Sequence, residues 1–171
     1  SLNDKTPKGT ILRSIAIFTA MELCGSFLTG ETGPRTTAKN FKVFCTSKYM
    51  PQRYHRVAEL LLSIFRNGVT HSYIPKGAAH LSSDEGCRNI HLEFFDSGLC
   101  VFVPTFAEDI TIAIKEFAGD LRSDPVMQQN YIKVFNDLDA AGKKDYIDFI
   151  SRNKISVRQD VKFSGDISVS L

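Results

Sequence analysis

The chain has 171 residues, of which 43% are hydrophobic, and its formal net charge is +2. This length supports one domain with a sizeable core, so we treat residues 1–171 as a single domain. The near-neutral charge excludes a strong basic field that would attract nucleic acid non-specifically, and any RNA contact therefore has to be local.

The cysteines are scattered, without a C-x-x-C pair, and lie in apolar neighbourhoods: Cys24, Cys45, Cys87 and Cys100. This pattern predicts reduced core thiols in a cytoplasmic protein, with no metal site. Charged residues such as Arg13 and Glu22 interrupt or bound the longest apolar runs, so we expect no membrane span. The chain begins at Ser1 without a signal-peptide pattern, and we treat it as either a trimmed protein or a piece of a longer one.

The first predicted helix covers residues 10–28 and is apolar around more than one face, which predicts a helix central to a bundle. Two glycines and a proline break the chain over residues 29–34. A second, shorter helix follows, with Thr36 or Thr37 as its cap, and ends before Pro51.

A third and longer helix is predicted over residues 51–72, with Pro51 in its first turn. Its apolar residues recur at spacings of three and four and should anchor the backbone: Val57, Leu60, Leu61, Ile64 and Phe65. A cluster of polar groups then follows within two turns: Arg66, Asn67, Thr70, His71, Ser72 and Tyr73. Pro75 and Gly77 stop the helix. The loop beside the cluster makes Lys76 and His80 candidate auxiliary phosphate contacts.

Arg66 and His71 are about 140° apart around a regular helix, while Asn67 lies one turn from His71 on the same face. A guanidinium suits phosphate, and an imidazole can take or give a proton near neutral pH. The pair therefore suits phosphodiester cleavage without a metal or another cofactor. A second interpretation stays open, because an arginine and a charged histidine near the end of a helix also offset its dipole.

The run Arg66-Asn67-Gly68-Val69-Thr70-His71 reads R-N-x-x-x-H and resembles the signature of the HEPN superfamily. The resemblance implies an all-α bundle with metal-independent endoribonuclease activity, as in a toxin or defence protein. It implies a homodimer in which the motif helices of two protomers meet, and Gly68 would let the two backbones approach. RNA or a nucleotide is the implied ligand, and an antitoxin protein is an implied partner.

The resemblance also assigns roles to the motif residues. His71 would act in proton transfer at the 2′-hydroxyl or the leaving oxygen, and Arg66 would hold and neutralise the phosphate. Asn67 would orient His71 or bind phosphate. The remaining polar residues of the cluster would support the site or contact RNA: Thr70, Ser72 and Tyr73.

A β-hairpin is predicted over residues 89–104, because residues 89–95 alternate apolar with polar, Asp96-Ser97-Gly98 makes a turn, and residues 99–103 suit a buried strand. His91 falls in the first of these strands, and we give it no role in the site.

Thr105 with Glu108 predicts a capping box for a helix that ends near Arg122. Asp124 then predicts an N-cap before Pro125, at the start of a helix over residues 125–138. A short helix follows over residues 143–152. The alternating tail, residues 155–171, suits an edge strand or arm, a disordered tail, or a segment that swaps onto another chain.

These elements predict a mainly α fold, a bundle of five to six helices with one β-hairpin insertion. The sequence contains no glycine-rich phosphate loop, paired-cysteine site or H-E-x-x-H motif, which confines the enzyme hypotheses to Arg66 and His71. Our first hypothesis is a dimeric metal-independent endoribonuclease. The second is a non-catalytic helical domain that binds a nucleotide, RNA or protein. The weak charge and the lack of an aromatic-basic patch favour the second over a processive nucleic-acid enzyme.

Overall fold

The computed structural model describes residues 8–64 and 79–154. The α-helices in these ranges are α1 (Lys8–Thr29), α2 (Thr37–Cys45), α3 (Gln52–His55), α4 (Ala58–Ile64), α5 (Val103–Leu121) and α6 (Pro125–Arg152). A 3-10 helix covers Glu85–Ile90, and the strands are β1 (Ala79–Ser82), β2 (Phe94–Phe95) and β3 (Gly98–Phe102). The predicted mainly α fold with a small β insertion is confirmed.

The three strands form one sheet in the order β1-β3-β2. β2 and β3 are antiparallel, with Phe95 opposite Gly98, so the predicted turn and second strand of the hairpin are confirmed. The first predicted strand is mostly wrong, because the 3-10 helix takes its beginning and leaves two residues for β2. β1 was not predicted. It pairs in parallel with β3, and Ala79 lies opposite Leu99.

Helix α1 lies against α2, α5 and β1 and supplies much of the core. Ile17, Phe18 and Met21 are buried along it. The ring of Phe18 stacks on Phe41 of α2 at 5.1 Å between centroids, and meets Phe106 of α5 edge-on at 5.8 Å. The prediction of a central helix that is apolar on more than one face is therefore confirmed.

By length and composition, Gly9–Thr29 could also span a membrane despite Arg13 and Glu22, with a mean hydropathy of 1.5. The core helix of a globular domain meets the same criterion, and this helix carries buried core residues such as Met21. The expectation that the chain has no membrane partner stays a prediction.

Helices α1 and α2 approach closely at Gly25. A Cβ at this position would lie 1.9 Å from the backbone oxygen of Asn40, so the contact requires glycine. The buried Asn40 side chain accepts a hydrogen bond from the Thr29 hydroxyl at 2.8 Å and donates one to the Glu31 carbonyl at 3.0 Å. These bonds fix the end of α1 against α2.

Two predictions for residues 36–64 are wrong in detail. Thr36 occupies the predicted N-cap position of α2, but its side chain makes no capping hydrogen bond, because its hydroxyl donates to the Gly33 carbonyl at 2.9 Å. The predicted long helix is divided into α3 and α4, since the N–H of Val57 donates to the Tyr54 carbonyl three residues back. This tighter turn leaves both Tyr54 and Val57 in the core. Residues 65–72 of that predicted helix lie outside the described residues.

The start of α5 and the end of α6 differ from the predicted boundaries. Helix α5 begins at Val103 directly after β3, so Thr105 lies inside it and the predicted capping box is absent. The cap at Asp124 is confirmed, because its Oδ1 accepts from the N–H of Val126 at 2.8 Å. Helix α6 then runs unbroken through Gly142, where two helices were expected.

The chain divides into two compact units, Ser1–Phe135 and Asn136–Leu171. The described part of the second unit is residues 136–154, which continue α6 and end in a turn. The predicted arm at residues 155–171 lies outside the structure's described ranges, and the single-domain assignment stays a prediction.

All four cysteines are free, and three of them are buried: Cys24, Cys45 and Cys100. Burial raises the pKa of Cys24 to about 11, of Cys45 to about 12 and of Cys100 to about 11. Cys87 is only half-buried, unlike the core thiol that was expected.

Candidate functional site

The residues predicted to form the catalytic site lie outside the described part of the chain. The segment 65–78 contains all of them: Arg66, Asn67, Thr70, His71, Ser72, Tyr73 and Lys76. What the structure describes is the chain on both sides of this segment and a polar network that joins the two sides.

The chain is firmly packed on each side of residues 65–78. Leu61 and Ile64 are buried in α4, which ends immediately before the segment. Ala79 begins β1 immediately after it and pairs with Leu99 in the sheet. Both junctions therefore belong to the core of the first unit.

The polar network, which we call the Tyr54 network, consists of Arg53, Tyr54, His91 and Asp109. The Phe102 backbone N–H donates to His91 Nδ1 at 3.1 Å, so that nitrogen carries no proton. The proton of the neutral ring is then on Nε2, which lies 2.8 Å from the Tyr54 hydroxyl and donates to it. Tyr54 in turn donates to Asp109 Oδ2 at 2.5 Å, and Arg53 pairs with the same oxygen.

Burial keeps both middle members of the network uncharged. It lowers the pKa of His91 to about 4, the charge of Arg53 acts in the same direction, and the charge of Asp109 opposes it. A second proton on Nδ1 would also point at the Phe102 N–H, which is itself a donor. Burial is likewise the main reason that the pKa of Tyr54 is raised, and the hydrogen bond to Asp109 adds to the rise.

The network links elements that are distant in sequence. Tyr54 is on α3, Asp109 is on α5, and His91 is in the turn between the 3-10 helix and β2. Leu92, the next residue, has a φ of +64°. This backbone conformation is unfavourable for a bulky residue, so the surrounding contacts must stabilise it. The network thus ties α3, just before α4, to the sheet region that receives the chain after residue 78.

The polar groups of the Tyr54 network serve to hold parts of the chain together. The hydroxyl of Tyr54 and both ring nitrogens of His91 are engaged by groups of the chain itself. The Arg53 side chain is 45% exposed and is the part of the network that most clearly reaches water. We therefore assign the network a positioning role and no proton transfer to a substrate.

Sequence reasoning missed this network for an identifiable reason. Tyr54 and His91 are 37 residues apart, and Tyr54 and Asp109 are 55 apart, so no local spacing connects them. His91 was assigned to a strand, and Asp109 was one of many scattered carboxylates.

Two other histidines on the described surface have local partners. His80, a predicted auxiliary phosphate contact, is exposed on β1, and its Nε2 lies 3.1 Å from the Ser97 hydroxyl. His55 Nε2 lies 3.3 Å from the carbonyl oxygens of Ser47 and Met50, so this ring closes the turn between α2 and α3.

No group of three or more histidine, cysteine, aspartate or glutamate side chains suited to a metal occurs among residues 8–64 and 79–154. Comparison with protein-family models, with curated proteins and with solved structures finds no match to this chain.

Proposed function

We propose that this protein is a metal-independent endoribonuclease of the HEPN type that acts as a homodimer. The observation that carries the proposal is the run Arg66-Asn67-Gly68-Val69-Thr70-His71, which joins a phosphate-binding guanidinium to an imidazole within six residues. A mainly α fold agrees with this class, and a toxin or defence role fits such an activity.

The proposed reaction is transesterification at an RNA phosphate. The 2′-hydroxyl attacks the adjacent phosphorus, a base removes its proton, and the bond from phosphorus to the 5′ oxygen breaks as that oxygen is protonated. His71 acts in one of these proton transfers. Arg66 neutralises the charge that builds on the phosphate oxygens. The products are a 2′,3′-cyclic phosphate and a 5′-hydroxyl.

The packing on both sides of the segment supports the proposal, because catalytic groups need a rigid support. Ile64 is buried directly before the segment, and Ala79 is paired in the sheet directly after it. The Tyr54 network joins α3, which precedes α4, to β3, which pairs with β1, through the hydrogen bonds of His91 to Tyr54 and to the Phe102 N–H. The described chain is therefore well packed immediately before and immediately after the segment that contains the motif.

The decisive experiment is a cleavage assay on purified protein and mixed RNA with EDTA present. Wild type should cleave and leave cyclic phosphate ends. His71→Ala should reduce the rate by about 10²- to 10⁴-fold, the usual size of an acid-base contribution. Arg66→Ala should add about 3 kcal/mol to the barrier, as expected when a group that stabilises transition-state charge is lost.

A matched substitution controls for loss of a surface arginine. Arg35→Ala replaces an exposed side chain outside the motif and should cleave at the wild-type rate. Arg66→Lys keeps the charge without the planar fork and should recover only part of the activity. Absence of cleavage in wild type, or a wild-type rate in His71→Ala, contradicts the proposal. If His71→Ala mainly lowers the melting temperature, the histidine is a helix cap.

The second candidate is a non-catalytic helical domain that binds a nucleotide, RNA or protein. The net charge of +2 favours it, since many RNA-processing enzymes hold their substrate with a broad basic surface. Saturable RNA binding without cleavage, lost in Arg66→Ala and kept in His71→Ala, would support this candidate over the first.

A further inference from the structure

Helix α6 exposes a row of large apolar side chains around Gly142. Phe135 and Leu138 are seven and four residues before this glycine, and Tyr146 and Phe149 are four and seven residues after it. Their exposed fractions are 55%, 48%, 56% and 57% in chain order. At about 100° per residue, all four lie within about 40° of the line through Gly142. We call these five residues the α6 stripe.

Gly142 is a second observation that points to a partner. A glycine in a helix interior costs about 1 kcal/mol against alanine. A Cβ at Gly142 would meet nothing within 4 Å, so contacts among the described residues do not require glycine here. Gly25 is different, because Asn40 of the same chain fills the space beside it. A glycine in the middle of an exposed apolar row permits close approach of another backbone.

We propose that the α6 stripe is a surface through which two copies of this chain associate as an antiparallel pair of helices that cross at Gly142. The stripe is symmetric about this residue, as an isologous contact requires. A two-fold axis there sets Leu138 against the second copy's Tyr146, and Phe135 against the second copy's Phe149. Each contact then occurs twice.

The charges beside the stripe suit the same arrangement. Lys143 and Asp139 lie on one edge of it, within about 100° of its centre. They form an exposed ion pair at 2.6 Å within the helix. In the antiparallel pair, the two-fold axis sets the two Lys143 side chains next to each other and places Asp139 of each copy beside Lys143 of the other, so each lysine keeps an aspartate neighbour. The contact is about 21 Å long from Phe135 to Phe149, which is small for an interface, so we expect association at micromolar concentration.

This surface does not involve Arg66 or His71, and it is separate from the interface of motif helices that the family resemblance implies. Its test is therefore independent of ribonuclease activity. Where both interfaces form, loss of the α6 contact leaves the dimer made by the motif helices.

The first measurement is sedimentation of the full chain at concentrations from about 1 to 100 µM, the range expected for a small interface. Leu138→Asp and Phe149→Asp should each lower the average mass at intermediate concentration and weaken association at least tenfold. Both side chains are largely exposed, so circular dichroism should show unchanged helix content. Ile147→Asp is the matched control. Ile147 is 56% exposed on the same helix, but it lies about 140° from the stripe centre.

A wild type that stays monomeric throughout this range overturns the proposal. An equal loss of mass in Ile147→Asp also overturns the proposal, because association would then come from non-specific apolar contacts of the helix. Unchanged association of both Leu138→Asp and Phe149→Asp would assign the contact to another surface.

The second measurement tests the orientation of the two helices with a short bis-maleimide cross-linker. Leu138→Cys and Tyr146→Cys are made in a Cys87→Ser background, since Cys87 is the half-buried thiol. After subunit exchange, the mixture should give several-fold more covalent dimer than either variant alone. The antiparallel pair sets positions 138 and 146 at equal height and separates the two 138 positions by about 12 Å along the axis. Equal or greater yield from Leu138→Cys alone overturns the antiparallel arrangement.

Discussion

A single hydroxyl group, that of Tyr54, serves as both donor and acceptor at the centre of the buried network. It donates to Asp109 and accepts from His91, while the Tyr54 ring stacks on Phe106 at 5.1 Å between centroids. The Tyr54 side chain therefore belongs both to the apolar core, through its ring, and to the Tyr54 network, through its hydroxyl. Removing only the oxygen separates these two contributions.

Tyr54→Phe should keep the ring packing and leave the Nε2–H of His91 without an acceptor. An unpaired buried polar group costs about 1–3 kcal/mol, so we expect a loss of stability in this range. Urea unfolding of both proteins measures it. Tyr49→Phe is the comparison, because the Tyr49 hydroxyl bonds the water-exposed Asp120 at 3.0 Å. Water can replace that bond, and an equal loss in both variants would argue against the buried network.

The pKa of His91 makes the network sensitive to acid. The value is lowered from 6.5 to about 4 in the folded chain, so the unfolded chain binds a proton first as the pH falls. His91 therefore contributes stability that is present above pH 6.5 and is lost as the pH falls from 6.5 toward 4. The difference corresponds to at most about 3 kcal/mol, reduced because water reaches part of the ring.

Unfolding free energies measured between pH 7.5 and 4.5 check this expectation. His91→Gln should be less stable at neutral pH and should lose less stability on acidification than wild type. Parallel pH profiles for wild type and His91→Gln would show that His91 is not the titrating group.

Residue-level prediction from the sequence was possible only where the residues are neighbours along the chain, and the prediction for Arg66 and His71 stays a prediction. Arg66 and His71 lie within six positions and form a recognisable pattern, although their geometry lies outside the described residues. Tyr54, His91 and Asp109 come together only through the tertiary fold. Nothing in their local sequences indicates that they meet.

The elements show the same division between local and distant causes. The start of α6 was predictable because Asp124 caps it with its own side chain. β1 was missed because its four residues gain their hydrogen bonds from β3, about twenty positions later. The break between α3 and α4 was missed because burial of both Tyr54 and Val57 outweighs a regular helix.

The contact between α1 and α2 provides a test at the scale of elements. Gly25→Ala would place a methyl carbon 1.9 Å from the Asn40 carbonyl oxygen, which is backbone and cannot swing aside. The helices must then separate, and we expect a loss of about 1–3 kcal/mol or more, typical of an overpacked core. Thermal unfolding measures it. Gly119→Ala, where a Cβ meets nothing within 4 Å, should be neutral or stabilising.

At the scale of the whole molecule, we expect each site of the proposed homodimer to take Arg66 from one protomer and His71 from the other. Mixing Arg66→Ala with His71→Ala protein should then restore activity, because a mixed dimer has one complete pair. After full exchange, about a quarter of the sites are complete by random pairing. Cleavage assays before and after subunit exchange measure this, and absence of recovery would place Arg66 and His71 of each site in one protomer.

The rates at which the four cysteines are modified report where the folded chain opens. Alkylating reagents attack the thiolate, and burial both shields three thiols and raises their pKa to about 11 or 12. At neutral pH, Cys87 should react first, and modification of Cys24, Cys45 and Cys100 should wait for local or global unfolding. These three thiols report on α1, α2 and β3 respectively. The order in which they become modified would therefore show which part of the core opens first, without any introduced label.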